Sequence, residues 1–599
     1  MPSSSSNQTA TINSILPPVP EFFSFQKRNT VIMDVWSWIC ELPESESWNE
    51  NGENSLSFEL ATHLRHSMKL KAERTLAKPS DDDSSEASLL LSFSLQYFSS
   101  SSPSNEEADP KSSETTLWVS EKCNLSQDQP FLPLVLQILQ EIISRAPNYP
   151  GYDCSSCPRS QLQTLKPEPV SWILDSHSQE SFSSFFNLIF LTRLFWLCVF
   201  EAPSEVGSLY FRSLLSPNLE TFSCKHAPVL KTFFLSVGTD VELCFMRTFS
   251  YMLAKSLLFR DIGMGALTPA KPTSVSKLGV SYATESHGMW ILKGYIPVNA
   301  MDCVVSNRRP NVEKNPFYTL IEPKESVLKY TLAHQQLEAV IQFEYKAAFC
   351  DGFIQVQANL DNIRLHVVKL GFKNKGDGSQ VNEEDVLLKE KHFPSRVRVW
   401  VGPEVGANYV GSLSLGRSTD NVEREVEMQK ILQGSLGKVK VPKVKGKARM
   451  ASKTKLKNWR WDQDVDGNAA VFDGILCDNT TGAEIATWKP PSGGGDNSNY
   501  LMMVNNFARR YSGGNRAFTK SGGVVFAGAE EFGGGGENGG GGVGWRLSKD
   551  MEGSVLKWRI GVQVWLSYFP NDVKASYFET RMVDWCDEVD LPLIPSKHT

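Results

Sequence analysis

Ten basic residues sit within 23 positions of this chain: Lys438, Lys440, Lys443, Lys445, Lys447, Arg449, Lys453, Lys455, Lys457 and Arg460. No acid occurs from Met428 to Trp461. Such a run attracts phosphates by releasing counterions, on nucleic acid or on an anionic membrane surface. It also matches a nuclear import signal. Val439, Val441 and Val444 alternate with the lysines, which suits an edge strand whose charges block sheet-to-sheet aggregation. Trp459 and Trp461 have the spacing of core-facing strand residues or of a base-stacking pair. An acidic stretch follows at once. Asp462, Asp464 and Asp466 alternate up to Gly467, and Asp473 falls on the twelfth position of a calcium-loop pattern. The competing reading is a strand that ends in an Asp466-Gly467 hairpin turn.

Other chemistry-bearing residues are sparse. Cys154 and Cys157 have the spacing of half a zinc site, with Cys224 and His226 as a second half, or of a redox pair that lacks the strand before it and the helix after it; a plain polar loop is the favoured reading. His63 and His66 fall on one face of an expected helix with no third ligand near them. The eleven cysteines are an odd number scattered through the chain, which fits reduced thiols. There is no Gly-x-Ser-x-Gly elbow, no His-Glu-x-x-His, no phosphate-binding loop and no dinucleotide fingerprint. No cofactor and no catalytic residue is therefore assigned, and the expectation leans away from an enzyme.

The strongest positional signal lies between Leu337 and Val367. Apolar residues alternate up to Phe349, Asp351-Gly352 intervenes, and alternation resumes at Ile354. Asp-Gly between two such runs predicts a hairpin. A turn there places Phe349 opposite Ile354 and Phe343 opposite Leu360. The apolar phase then shifts by one residue at Asp361-Asn362, so a bulge should restore the pairing as Ile341 opposite Ile363.

At 599 residues the chain exceeds a single core. Hydrophobic and charged fractions of 41% and 21% are those of a globular protein, and a net charge of −6 names no partner. The expected fold is α+β and multidomain. A disordered tail covers 1–32. An α-rich mixed domain covers 33–262, with Ser- and acid-rich loops at 79–114. A linker at 263–276 leads to an antiparallel β-sandwich or open barrel at 277–595, with a glycine-rich loop at 528–544. Helices are predicted over 55–71, 132–145, 185–200, 241–259 and 421–433. Leu89 to Tyr97 is a strand partnered by 116–120. The 185–200 run is apolar but interrupted by Asn187, Thr192 and Arg193, so it is expected to be a core helix and not a membrane span. The period change near 277 predicts that a piece from about Thr273 to Pro595 folds alone.

Met33-Asp34-Val35-Trp36-Ser37-Trp38-Ile39, together with Trp459 to Val465 running into Asp473 to Asp478, resembles a functionally unassigned higher-plant protein family. The resemblance implies a plant origin and no activity. The expected function is a non-enzymatic binding or scaffold protein whose basic segment meets nucleic acid or membrane lipid. A β-barrel holding an apolar small molecule, with lipid-modifying activity, is the alternative. The expected location is cytoplasm or nucleus. The acid-free, Ser-rich start alternatively suits chloroplast import unless translation begins at Met33.

Overall fold

The structure is a computed structural model. It describes residues 34–45, 48, 54–63, 65–76, 88–100, 112–147, 165–215, 218, 227–261, 279–301, 331–370, 392–415, 424–436, 444–456, 459–476, 518–520, 543–568 and 579–595. The N-terminal part contains α1 (Val35–Glu41), then β1 (Ser55–His63), β2 (His66–Leu76), β3 (Leu89–Ser100), β4 (Ser112–Val119) and β5 (Cys123–Asn124). Helices follow: α2 (Leu132–Ser144), α3 (Pro167–Ser176), α4 (Gln179–Trp196), α5 (Ser204–Leu209), α6 (Ala227–Val237) and α7 (Thr239–Asp261).

The antiparallel sheet β1-β2-β3-β4, with β5 added to β3, corrects the helix expected over 55–71. Leu56, Leu60, Leu64 and Met68 recur every four residues in the sequence, which suits a helix. A spacing of four is also a multiple of two, and Phe58 and Leu70 complete the shorter period. A turn at Arg65 leads into β2, and His63 pairs opposite His66, so the two histidines face each other across a hairpin. His66 Nδ1 lies 2.6 Å from the Tyr97 hydroxyl. Met68, Leu70 and Ala72 then alternate inward, as do Leu91, Phe93, Leu95 and Tyr97 on β3.

Helix α4 begins where the Ser178 hydroxyl accepts from Ser181 N at 3.4 Å. Together with its continuation to Glu201 it is long and apolar enough to cross a membrane by length and composition. The apolar window is wholly buried against the rest of the protein. Thr192 donates to Leu188 O within the helix at 2.8 Å, and neighbouring elements engage the other two polar interruptions, though Arg193 Nη1 stays buried without a partner. Arg193 pairs with Glu141 of α2. The Asn187 amide donates to Asp34 Oδ1 at 3.3 Å and accepts from Val35 N at 3.0 Å, docking α1. The Asp34–Ile39 stretch is thus a helix cap plus a buried Trp36 ring, packed 4.7 Å from both Phe182 and Phe186.

Among the described residues the rest is mainly strand: β6 (Val280–Ser286), β7 (Met289–Met301), β8 (Thr331–Phe349), β9 (Phe353–Leu370), β10 (Phe393–Pro403), β11 (Val410–Ser414), β12 (Arg424–Leu436), β13 (Val444–Leu456), β14 (Trp459–Asp466), β15 (Ala469–Leu476), β16 (Phe518–Lys520), β17 (Val543–Ser548), β18 (Val555–Tyr568) and β19 (Glu579–Pro592). The β8–β9 hairpin has the expected register. Phe349 pairs with Ile354, Phe343 with Leu360 and Ile341 with Ile363, with the slip between Gln342 and Phe343. One sheet runs β11-β17-β9-β8-β7-β6, with β16 also on β9. A second runs β14-β15-β10-β18-β19.

The two sheets bury a shared core, making a sandwich, with no closed barrel among the described residues. Trp290 stacks on Trp558 at 5.4 Å, Trp545 meets Trp558 edge-on at 4.7 Å, and Phe343 lies 5.8 Å from Phe472. Each such ring contributes roughly 1.5–3 kcal/mol by leaving water, and together they fill the space where the barrel alternative places a small molecule. The linker at 263–276, the loops at 79–87 and 101–111 and most of the glycine-rich loop lie outside the described residues.

The helix expected over 421–433 is also corrected. Residues 424–436 form β12, paired along its whole length with β13. The cause is the same ambiguity of period: Met428, Leu432 and Leu436 suit a four-residue repeat, and Val426 belongs only to the two-residue one.

Candidate functional site

The basic run divides among three places. Lys445, Lys447, Arg449, Lys453 and Lys455 lie on β13, Arg460 lies on β14, and Lys438, Lys440, Lys443 and Lys457 lie outside the described residues. β12 and β13 form a two-stranded sheet of their own, joined to neither face of the sandwich among the described residues. Each arm has 13 residues, about 44 Å of extended chain.

Register sorts this hairpin into two faces. Glu425 pairs with Lys455, Glu427 with Lys453, Ile431 with Arg449, Gln433 with Lys447 and Ser435 with Lys445. On the alternate positions Val426 pairs with Thr454, Met428 with Ser452, Lys430 with Met450, Leu432 with Ala448 and Leu436 with Val444. One face is charged and the other mainly apolar. The two glutamates stand opposite lysines at the open end, so the turn-proximal Lys445, Lys447 and Arg449 have no acid across the ladder.

The four aspartates fall on the next hairpin. β14 pairs with β15 through a turn at Gly467-Asn468, where Gly467 has φ 62°, a left-handed value that suits a residue without a Cβ. Asp462 stands opposite Asp473, and Asp464 opposite Val471. Two extended strands do not curl these carboxylates round one ion, which is what the twelve-residue calcium pattern requires. Asp473 is otherwise engaged: its two oxygens accept from Arg396, and Oδ2 also accepts from Arg398 Nη2 at 2.9 Å. Burial pushes the Asp473 carboxyl up, but the two guanidinium partners outweigh it and hold the pKa below the ordinary value. Among the described residues no three His, Cys, Asp or Glu gather as a metal site. Cys154, Cys157, Cys224 and His226 lie outside the described residues. Trp461 is 1% exposed inside the sandwich, so its ring is core and not a base-stacking surface.

Two constellations had no sequence signal. The first is a cavity of about 710 Å³ on the outer face of the second sheet. Its floor is Arg398 and Trp400 of β10, Val471 of β15, and Arg559 and Gln563 of β18; the turns at 404–406 and 466–468 form its walls. The Trp400 indole lies across Gly561, where any Cβ would overlap the ring. Beside it Arg396 sits over the Trp565 ring, 4.9 Å from its centroid.

The second constellation joins the helices to the sandwich. Glu242 of α7 is fully buried. Its Oε1 accepts from the hydroxyls of Tyr282 (2.5 Å) and Tyr295 (2.7 Å), and its Oε2 accepts from Lys293 Nζ at 2.7 Å. Burial, and then the neighbouring carboxylate, push both phenols far above their ordinary pKa. One turn further on, Arg247 pairs with Glu338 of β8 at 2.9 Å. The apolar core of the N-terminal part continues into the same contact through Tyr282, Tyr295, Val368 and Leu370. Both constellations assemble residues far apart in the chain, and no local pattern marks them.

No family model matches this chain, and no curated protein is significantly similar to it. Solved structures similar to it include the Clostridium perfringens NetB toxin in its membrane-inserted form, at 9% identity, covering 52% of this chain and 94% of that one, with a TM-score of 0.15. Clostridium perfringens delta-toxin aligns at 8% identity over 52% of this chain and 96% of its own, TM-score 0.16. A structure described as a pore-forming protein aligns at 8% identity over 52% and 99%, TM-score 0.15. Superpositions at these TM-scores do not define a shared fold.

Proposed function

We propose that this chain is a non-enzymatic binding protein that attaches to anionic membrane surfaces through the β12–β13 hairpin. The observation that carries this reading is the register. It sets Lys445, Lys447 and Arg449 on one face and Val426, Met428, Leu432 and Leu436 on the other, in a sheet separate from the sandwich. Anionic headgroups attract the first face and the acyl boundary accepts the second. Nucleic acid would use only the charged face, so the apolar one favours lipid.

Each 13-residue arm also exceeds the roughly 9–11 residues that a tilted strand needs to cross a bilayer. A lone hairpin would leave both of its edges unpaired in hydrocarbon. Carrying the basic tip across would cost roughly 2.5–3.5 kcal/mol for each cation at the bilayer centre. Attachment at the surface incurs neither cost.

The test is co-sedimentation of the full chain with vesicles of phosphatidylcholine alone or mixed with phosphatidylserine, over a salt series. Binding should need the anionic lipid and weaken with salt. Changing Lys443, Lys445, Lys447 and Arg449 together to Gln should lower affinity by roughly a hundred- to a thousandfold, from about 1 kcal/mol per cation near the surface. A Met428→Ser/Leu432→Ser variant should also weaken it. Equal binding by all variants rejects the reading. DNA or RNA binding that ignores the serine pair, with no vesicle binding, replaces it with a nucleic-acid reading.

A further inference from the structure

The cavity over Trp400 is a built site that the membrane reading leaves unused. Its platform is aromatic. Because Gly561 has no side chain, the Trp400 ring can lie across β18, and it remains half-exposed as cavity floor. An indole face is electron-rich and accepts polarised C–H groups or cations.

The polar groups round the platform carry both signs. Arg398 and Gln563 are directly paired across β10 and β18. Arg559 lies two residues beyond Gly561 on the same face, with Glu588 of β19 paired opposite it and its Nε without a hydrogen-bond partner. These three supply donors from the floor. Glu404, Asp464 and Asp466 supply acceptors from the walls, and Asp464 and Asp466 are exposed. A net anion entering the cavity passes three carboxylates. A net cation reaches two guanidinium groups. A ring of hydroxyls, each both donor and acceptor, is matched by floor and walls together and carries no charge for either to repel.

We propose that this cavity binds an uncharged oligosaccharide, with one sugar ring stacked on Trp400 and its hydroxyls held by Arg398, Arg559 and Gln563 below and Asp464 and Asp466 above. The volume of about 710 Å³ lies within the range of roughly 300–1,000 Å³ usual for ligand pockets. The site opens between two surface turns, at Glu404–Gly406 and at Gly467-Asn468, so a chain longer than the pocket can run out over either side. The second turn is anchored: Trp545 Nε1 donates to the Asn468 carbonyl at 2.8 Å, and the Asn468 amide donates to Ala407 O at 3.2 Å. The two walls are therefore tied to each other and to the core, and the pocket needs little ordering when ligand arrives.

The test titrates the full chain with trisaccharides of glucose, of xylose and of N-acetylglucosamine, read by tryptophan fluorescence and by calorimetry. At least one should bind saturably, with a change in indole emission. Trp400→Ala should weaken that binding at least tenfold and remove most of the emission change. Gln563→Ala should weaken it with the thermal midpoint unchanged, which keeps the result readable if Trp400→Ala disturbs the sheet. Failure of all three sugars to saturate overturns the proposal. So does equal binding by the Gln563→Ala and Trp400→Ala chains. Binding of inorganic phosphate or tetramethylammonium at the same residues in place of sugar overturns the ligand class. Vesicle attachment by the hairpin is measured separately and stands or falls on its own.

Discussion

Replacing Glu242 with Ala is expected to cost about 3–5 kcal/mol of stability, the penalty for leaving one partner of a buried ion pair behind. The Glu242 side chain is 1% exposed and that of Lys293 is 21% exposed. With Ala at 242, Lys293 keeps a half-buried ammonium without its carboxylate, and the Tyr282 and Tyr295 hydroxyls lose their shared acceptor. Glu242→Gln should cost less, since its amide oxygen still accepts from a phenol while the charge partner is lost. Chemical denaturation followed by near-ultraviolet absorbance of the tyrosines measures both. An Ala variant within 1 kcal/mol of the parent (a tolerance set by the usual worth of one hydrogen bond, ~1 kcal/mol) would show that the cluster does not hold the helices to the sandwich.

Lys255 yields the second large effect, and it depends on pH. The residue is 2% exposed on α7, with its ammonium 5.3 Å from the centroid of the Tyr251 ring. Burial pulls its pKa down from 10.5 to about 7. The unfolded chain therefore binds the proton more readily than the folded one between about pH 7 and pH 10.5, so stability from this group rises with pH through that window. It is lost as pH falls towards 7. Lys255→Met keeps the apolar stem and removes the titration. The variant should be more stable than the parent at pH 7, by several kcal/mol at most, and the gap should narrow steadily towards pH 10. Thermal midpoints measured in parallel at each pH give the difference directly. A gap that stays constant with pH would mean that Lys255 is not the group titrating.

The β8–β9 hairpin was legible down to its bulge because everything that specifies it is local. Asp351-Gly352 sets the turn, and strict alternation sets the face, so one slipped residue would move every apolar group to the wrong side. Helices α2, α4 and α7 were legible because long apolar windows dominate their neighbourhood. The two misread helices, over 55–71 and 421–433, share one cause. Apolar residues four apart satisfy both periods, and only the presence of a pairing strand chooses between them. The expected boundary at 263–276 lies outside the described residues, and the core of the N-terminal part extends past it onto β6, β7 and β9. A piece starting near Thr273 would expose Tyr282, Tyr295, Val368 and Leu370, which gives the expected independent fold an apolar surface to cover.

By itself the sequence determined the α+β class, the long antiparallel hairpin and the existence of a basic stretch, because composition and periodicity act over a few residues at a time. Tertiary structure alone decided where charges meet. It set Asp473 between Arg396 and Arg398 instead of round an ion, placed Glu242 beneath two tyrosines some forty and fifty residues away, and laid Trp400 across Gly561 from a strand 161 positions later in the chain than the ring. Those contacts depend on which strands become neighbours in a sheet, and neighbour choice is settled by burial of the whole sandwich, not by any segment's own pattern.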